Sequence, residues 1–168
     1  MNASRPAGAL PMIAKSAGSL SVTSWHEPVL LEAARAPLAP NAPLLPLETL
    51  AQVRAELEVA LTGYTPEPQA GRIAFTLNAA YPQRDQRSAP EVKAYVVALT
   101  DELARFPADV AEESARTVRR TVEFRPSVAE LVKAAEAIMA RRRLLLIGVD
   151  RMERAHTARA TREAGRAA

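Results

Sequence analysis

The clearest periodic pattern of apolar and polar residues lies between Phe106 and Arg143. Apolar or small side chains recur at three- and four-residue spacing from Val110 to Val122, and again from Val128 to Met139. This spacing lines one face of an α-helix with apolar groups. The pattern therefore predicts two amphipathic helices that form a hairpin, and we expect the rest of the fold to pack around it.

The hinge of this hairpin is predicted at residues 124–127. Ser127 and Glu130 have the spacing of a capping box, in which each side chain accepts a hydrogen bond from the backbone N–H of the other residue. Pro126 disfavours continuation of the preceding helix and biases Arg125 towards extended backbone. The second helix is therefore expected to start at the box.

Three further helices are predicted before the hairpin. The first runs over residues 47–62, and a loop over 65–71 separates it from a short helix over 72–80. A third helix is expected over 88–105, because it opens with a second Ser-x-x-Glu box and continues with a regular apolar stripe. No segment competes as a strand. The predicted fold class is all-α, a small bundle of four to five helices.

The N-terminal part of the chain has a different composition. Seven of the 13 prolines lie within the first 46 residues, among many alanines. Such a segment buries too little apolar surface to offset its ordering entropy, so residues 1–45 are predicted to form a disordered arm. Within it, the apolar island Ser24–Leu31 contains the only tryptophan. It either folds back on the helical domain of residues 46–147 or serves as a short motif that docks into a partner's groove.

The C-terminal part is basic. The net charge is +3, divided as +1 over residues 1–44, −3 over 45–140 and +5 over 141–168. Leu144–Ile147 is a continuous apolar patch, and Gly148 is expected to interrupt the helix. Residues 148–168 combine high helix propensity with almost no apolar face, which predicts an Arg-rich tail that is helical or frayed.

Composition argues against several classes of function. The chain has no cysteine and only two histidines, His26 and His156, in segments expected to be mobile, so we expect no disulfide and no metal site. Single, scattered glycines form no phosphate-binding loop, and no histidine is placed to serve as a base for nucleophilic catalysis. We therefore expect no enzymatic activity and no cofactor. The sequence contains no run of 18 apolar residues, so no membrane span is expected. A cytoplasmic location is expected.

Two groups of arginines carry the remaining chemistry. Arg116, Arg119 and Arg120, with Arg125 at the hinge, either aid solubility and complement the C-terminal end of the helix dipole or contact phosphates. A second group is a candidate for nucleic-acid binding. Because the tail has no interleaved aromatics for base stacking, such binding would be electrostatic and sensitive to salt. The second group consists of Arg151, Arg154, Arg159 and Arg162.

Four segments between Ile73 and Arg143 follow one another in a characteristic order. A short helix ends in an aromatic before a proline, and a helix containing a tyrosine follows. The next helix opens at an aromatic-proline step, and the last begins with an aromatic-x-Pro-Ser-x-x-Glu box. In this order the chain resembles small phage and prophage replication proteins, the replicative-helicase loader/inhibitor family. The segments are Leu77–Pro82, Val92–Leu99, Phe106–Val110 and Phe124–Leu131.

The resemblance implies an all-helical domain, a C-terminal segment that engages a hexameric replicative helicase, and no catalysis by this chain. The expected function is that of a non-enzymatic phage or prophage adaptor that modulates helicase loading on DNA in a bacterial host. Two alternatives stay open, a nucleic-acid-binding module that uses the Arg-rich tail and a phage structural or assembly protein. The residues expected to contact the helicase are Leu144, Leu145, Leu146 and Ile147, with Arg141, Arg142 and Arg143 beside them.

Overall fold

The structure is a computed structural model that describes residues 26–81 and 88–167. Within these ranges it contains six helices and no strand, so the predicted all-α class is confirmed. Residues 1–25 of the predicted arm lie outside the described residues, as does the predicted polar connection at 83–87. The helices are α1 (His26–Arg35), α2 (Leu47–Thr62), α3 (Glu67–Ala79), α4 (Ala89–Ala104), α5 (Ala108–Thr121) and α6 (Val128–Ala167).

The last helix, α6, is the spine of the molecule. Its 40 residues span about 60 Å at 1.5 Å per residue. α4 and α5 pack on its N-terminal half and α3 packs on both of them, whereas α1 and α2 cover its C-terminal half. None of the helices in the described ranges is long and apolar enough to cross a membrane. The described residues thus form two main apolar cores along one helix, with a small cluster of Val110, Ala135 and Met139 between them.

The first core joins α3, α4, α5 and the start of α6. Its largest members are fully buried leucines, and burial of one such side chain contributes about 1.5–3 kcal/mol. The apolar stripes read from the sequence supply this core, because the periodic positions of each helix face the same centre. The buried leucines are Leu77, Leu99, Leu103 and Leu131.

The hinge between α5 and α6 has the predicted capping box. The Glu130 carboxylate accepts a hydrogen bond from the backbone N–H of Ser127 at 2.7 Å, and the N–H of Glu130 donates to Ser127 Oγ at 3.2 Å. The bonds from the Ser127 backbone N–H and then from its hydroxyl lower the pKa of Glu130, because they favour the ionised carboxylate. The start of α6 at Val128 follows from this local chemistry.

The second core corrects the prediction of a disordered arm. Residues 26–35 form α1, and residues 38–45 continue across the C-terminal half of α6. Leu30 and Leu45 are buried there against Val149 and Met152. A disordered arm is therefore wrong for residues 26–45, because these apolar side chains close over α6 and offset the cost of ordering. The described part of the apolar island folds back on the domain.

The predicted break at Gly148 is also absent, since α6 passes through this residue without interruption. Gly148 is buried against α1, and a methyl group at its Cα would lie 2.8 Å from the carbonyl carbon of Leu30. Glycine is therefore needed for the close approach of two helices. The boundary predicted at residue 147 is wrong, because Val149 and Met152 are core residues.

The loop predicted over residues 65–71 is shorter in the structure. α3 begins at Glu67, because prolines are well accommodated at the start of a helix, where Pro66 is the N-cap and Pro68 lies in the first turn. The preceding Thr65 is buried, and its hydroxyl donates to the carbonyl oxygen of Phe106 at 2.7 Å. This bond ties the α2–α3 loop to the turn between α4 and α5.

Candidate binding sites

The apolar patch expected to contact a helicase is divided by the fold. Leu145 is only 2% exposed and belongs to the second core, whereas Ile147 is 40% exposed on another side of α6. Leu144 and Leu146 are half-buried. Consecutive residues of a helix point in different directions, so four of them cannot form one exposed face. The expectation of a continuous exposed patch is therefore wrong.

The three neighbouring arginines are divided in the same way. Arg142 is 7% exposed, and its guanidinium donates to the carbonyl oxygen of Ala60 at 2.8 Å and forms an ion pair with Asp109. It thereby joins the end of α2 and the start of α5 to α6. Arg141 pairs with Glu27 of α1, and Arg143 is exposed. Of the three predicted contact arginines, Arg142 therefore holds helices of the domain together, and Arg141 forms a more exposed ion pair with α1.

The four tail arginines predicted to bind nucleic acid do come together. They line one side of a cavity of about 310 Å³, and residues 37–40 form the opposite wall. Ala155 and Ala158 lie between them on the same side of α6. We call this feature the α6 cleft. Its arginines are Arg151, Arg154, Arg159 and Arg162.

Two of these arginines hold the opposite wall in place. Each donates hydrogen bonds to two backbone carbonyl oxygens, which for Arg151 lie at the end of α1 and for Arg159 lie in the segment that crosses α6. The other two, Arg154 and Arg162, are exposed, and Arg154 Nε donates to the backbone carbonyl of Asp150 at 3.2 Å. The wall-holding bonds run from Arg151 to Ala33 and Ala36, and from Arg159 to Pro40 and Ala42.

Two of the three acidic residues nearest in sequence to the cleft are engaged elsewhere, and the third, Glu163, is exposed. Arg54 of α2 pairs with both Asp150 and Glu153 on another side of α6. The hydrogen bonds to Glu153 and then to Asp150 raise the pKa of Arg54, because they favour its charged form. Among the described residues no carboxylate lines the cleft, so none of the lining side chains offsets the arginine charges.

A second concave feature lies between α3 and α5, and sequence reasoning did not find it. This groove has a volume of about 270 Å³. Its floor is apolar, with Ile73, Leu77 and Ala115, and its polar rim includes one acidic residue, Glu112, which accepts a hydrogen bond from Gln69 at 3.0 Å. Three arginines stand on the rim, and they are Arg72, Arg116 and Arg119.

An exposed aromatic residue lies on α3 outside the lining of the α3–α5 groove. Phe75 is 65% exposed, three residues after Arg72 on α3, and residues at this spacing are neighbours on a helix surface. Arg116 forms an ion pair with Glu113, whereas Arg72 and Arg119 are exposed. Arg116 and Arg119 stand out in the sequence as a basic pair on one helix. The exposed apolar residue near them, Phe75, lies on a different helix, so the sequence does not indicate that they share a surface.

Two of the aromatic residues that carry the family resemblance, Tyr81 and Tyr95, lie beside the hinge at one end of the first core. The hydroxyl of Tyr81 lies 3.3 Å from the carbonyl oxygens of both Val118 and Val122, and the Tyr95 hydroxyl donates to that of Pro126 at 2.6 Å. Burial is the main cause that raises the pKa of Tyr81. This junction fixes the ends of α3 and α5 beside the hinge.

Arg125 at the hinge is part of the same junction. Its guanidinium carbon lies 3.6 Å from the ring centroid of Tyr95, within the range of a cation–π contact. Arg125 is therefore separated in role from Arg116 and Arg119, with which the sequence had grouped it. Arg120, the fourth member of that group, is exposed.

The elements define an all-α protein with two cores on a single long helix. The two histidines belong to this fold, since His26 begins α1 and the ring of His156 lies 2.8 Å from the carbonyl oxygen of Leu45. Within the described ranges, no cluster of histidine and acidic side chains is arranged to hold a metal ion. No family model, curated protein or solved structure matches the chain.

Proposed function

We propose that this chain is a non-enzymatic adaptor of phage or prophage origin that binds a hexameric replicative helicase in the cytoplasm of a bacterial host and modulates helicase loading on DNA. The resemblance over residues 73–143 motivates the proposal. The observation that carries it in the structure is the α3–α5 groove, with its apolar floor, its three rim arginines and the exposed ring of Phe75.

The chemistry of the groove suits a protein partner. The exposed apolar group of this surface is the ring of Phe75, because the floor residues of the groove are almost fully buried. Aromatic and arginine residues supply much of the binding energy at interfaces. Three basic side chains line the groove with one acidic side chain, Glu112, and one of the three, Arg116, is paired with Glu113. The complementary partner surface is an acidic segment with at least one apolar side chain that contacts Phe75 or enters the groove.

The proposed helicase contact at the α3–α5 groove lies away from the predicted residues 141–147. Several of those residues pack α1, α2 and α5 against α6, and removal of the chain beyond residue 140 would delete Leu145, Val149 and Met152 from the second core. A truncation would therefore disturb folding as well as binding. Substitutions of exposed groove residues test the contact without that complication.

The test is co-elution of the full chain with the replicative helicase of a bacterial host on size-exclusion chromatography, with and without ATP. We expect a complex with the unaltered chain, and its loss when Arg72→Glu and Arg119→Glu are combined or when Phe75→Ala is introduced. The combination of Lys93→Glu and Lys133→Glu is the matched control, because it reverses two exposed charges outside the groove. Absence of any complex at micromolar concentration under every nucleotide condition would refute the proposal.

A further inference from the structure

We infer that the α6 cleft binds successive phosphate groups of a nucleic-acid strand, without preference for base sequence. This site is separate from the α3–α5 groove and acts on a different class of ligand. It gives the chain a direct contact with DNA whether or not a helicase is bound.

The length of the arginine row indicates a strand rather than one free phosphate. From Arg151 to Arg162 the helix rises about 16 Å at 1.5 Å per residue. Phosphates of one strand of B-form DNA follow one another at about 3.4 Å along the axis, so several of them match the row. A single phosphate group contacts only part of it.

The arrangement of the guanidinium groups suits repeated contact with anions. Arg151 and Arg159 donate to backbone carbonyls, which are neutral, so each keeps its full charge beside the cleft. A guanidinium has five N–H donors, and these bonds leave others available to a ligand. Because the bonds already order the two side chains, less conformational entropy is lost on binding.

The exposed arginines supply contacts that are free of other charged partners. Within the described ranges neither Arg154 nor Arg162 forms an ion pair, and Arg54 holds the nearby carboxylates of Asp150 and Glu153. Asp150 lies one helical turn before Arg154, but its carboxylate is paired with Arg54 and therefore offsets less of the Arg154 charge. The fold thus separates the acidic and basic side chains of this part of α6.

The lining of the cleft predicts how binding depends on conditions. Its other side chains come from proline, alanine and leucine, with no aromatic ring on which a base can stack. Binding should therefore be insensitive to base identity and should weaken steeply with salt. Each arginine that contacts a phosphate contributes about 0.7 (single strand) to 0.9 (duplex) to the slope of log K against log salt.

The experiment measures fluorescence anisotropy of labelled single-stranded and duplex oligonucleotides with the full chain between about 50 and 200 mM salt. We expect binding with a negative salt slope. The combination of Arg154→Ala and Arg162→Ala should weaken binding and reduce the magnitude of the slope by about 1.5. The combination of Lys93→Ala and Lys133→Ala removes the same charge elsewhere and should leave the slope unchanged. Circular dichroism checks that both variants are folded.

Three outcomes would overturn the inference. The first is no binding to either oligonucleotide at the lowest salt concentration. The second is an equal loss of affinity in both double variants, which would assign binding to net charge rather than to the cleft. The third is competition by inorganic pyrophosphate as effective as that by unlabelled oligonucleotide, which would assign the site to free phosphates. Comparison of the two oligonucleotides identifies which form of nucleic acid the cleft prefers.

Discussion

The backbone of Leu30 in α1 lies directly against the Cα of Gly148 in α6, where a methyl group would be 2.8 Å from the Leu30 carbonyl carbon. This contact joins two segments that the sequence suggested were outside the domain. It explains why α6 continues through a glycine and why α1 is ordered against it. The second core, which includes Leu145 and Met152, depends on this approach.

Replacement of Gly148 by alanine should destabilise the protein. The added methyl group overlaps backbone atoms of Leu30, which cannot rotate away, so α1 must shift. We expect the free energy of unfolding in urea to fall by about 1–3 kcal/mol. The substitution should also increase the rate of hydrogen exchange more in α1 than in α4, because only the packing of α1 is disturbed.

Gly165→Ala is the matched control for this substitution. Gly165 is also in α6, but a methyl group there meets no atom within 4 Å among the described residues. Alanine favours helix over glycine by up to about 1 kcal/mol, so this variant should be neutral or slightly more stable. Equal stability of the Gly148→Ala and Gly165→Ala variants would contradict the close approach of α1.

Arg142 should be more important for stability than its neighbour Arg143. Removal of the Arg142 side chain leaves the Ala60 carbonyl and the Asp109 carboxylate without this donor. Since hydrogen bonds to charged groups contribute about 1.5–3 kcal/mol, Arg142→Ala should lower the free energy of unfolding by about that amount. Arg143→Ala should change it by less than about 0.5 kcal/mol, because this side chain is exposed.

Chemical denaturation of both variants measures this difference. If Arg142→Ala and Arg143→Ala unfold at the same denaturant concentration with the same slope, Arg142 does not bridge α2, α5 and α6.

Stability at high pH should depend on Tyr81. Burial raises its pKa in the fold, whereas the unfolded chain has the usual value of about 10. The stability that this pKa difference contributes is complete at pH values below the pKa of Tyr81 in the unfolded chain. It is lost as the pH rises from there through the folded value, because the unfolded chain releases its proton first. Arginines stay charged in this range.

Tyr81→Phe tests this dependence, because it keeps the ring but removes the hydroxyl that contacts Val118 and Val122. The variant should be less stable at neutral pH by about 1 kcal/mol and should lose less stability above about pH 10. Urea denaturation of both proteins at several pH values measures the two effects. Parallel stability curves at high pH would show that Tyr81 does not titrate differently in the fold.

Local sequence patterns were sufficient for most of the helices. The Ser127–Glu130 box fixes the start of α6, and the apolar stripe of α4 brings Leu99 and Leu103 to the core. In each case the information lies within one or two helical turns. Such local patterns can be recognised without knowing which distant segments pack against them.

Features that depend on contacts between distant residues could not be predicted in this way. Leu30 and Gly148 are more than a hundred residues apart, so composition alone suggested an arm and a break. The four tail arginines line one cleft, but its opposite wall at residues 37–40 depends on the path of the chain after α1. Likewise, Arg72 and Arg119 become neighbours of one groove only after α3 packs on α5.

The most direct test of the proposed adaptor function is the rate at which the replicative helicase unwinds a forked DNA after preincubation with this chain. The unaltered chain should change the rate, and the Arg72→Glu/Arg119→Glu variant should leave it at the value of helicase alone. The Lys93→Glu/Lys133→Glu control should act like the unaltered chain. The same rate with and without the unaltered chain, at concentrations that saturate their complex, would contradict the account.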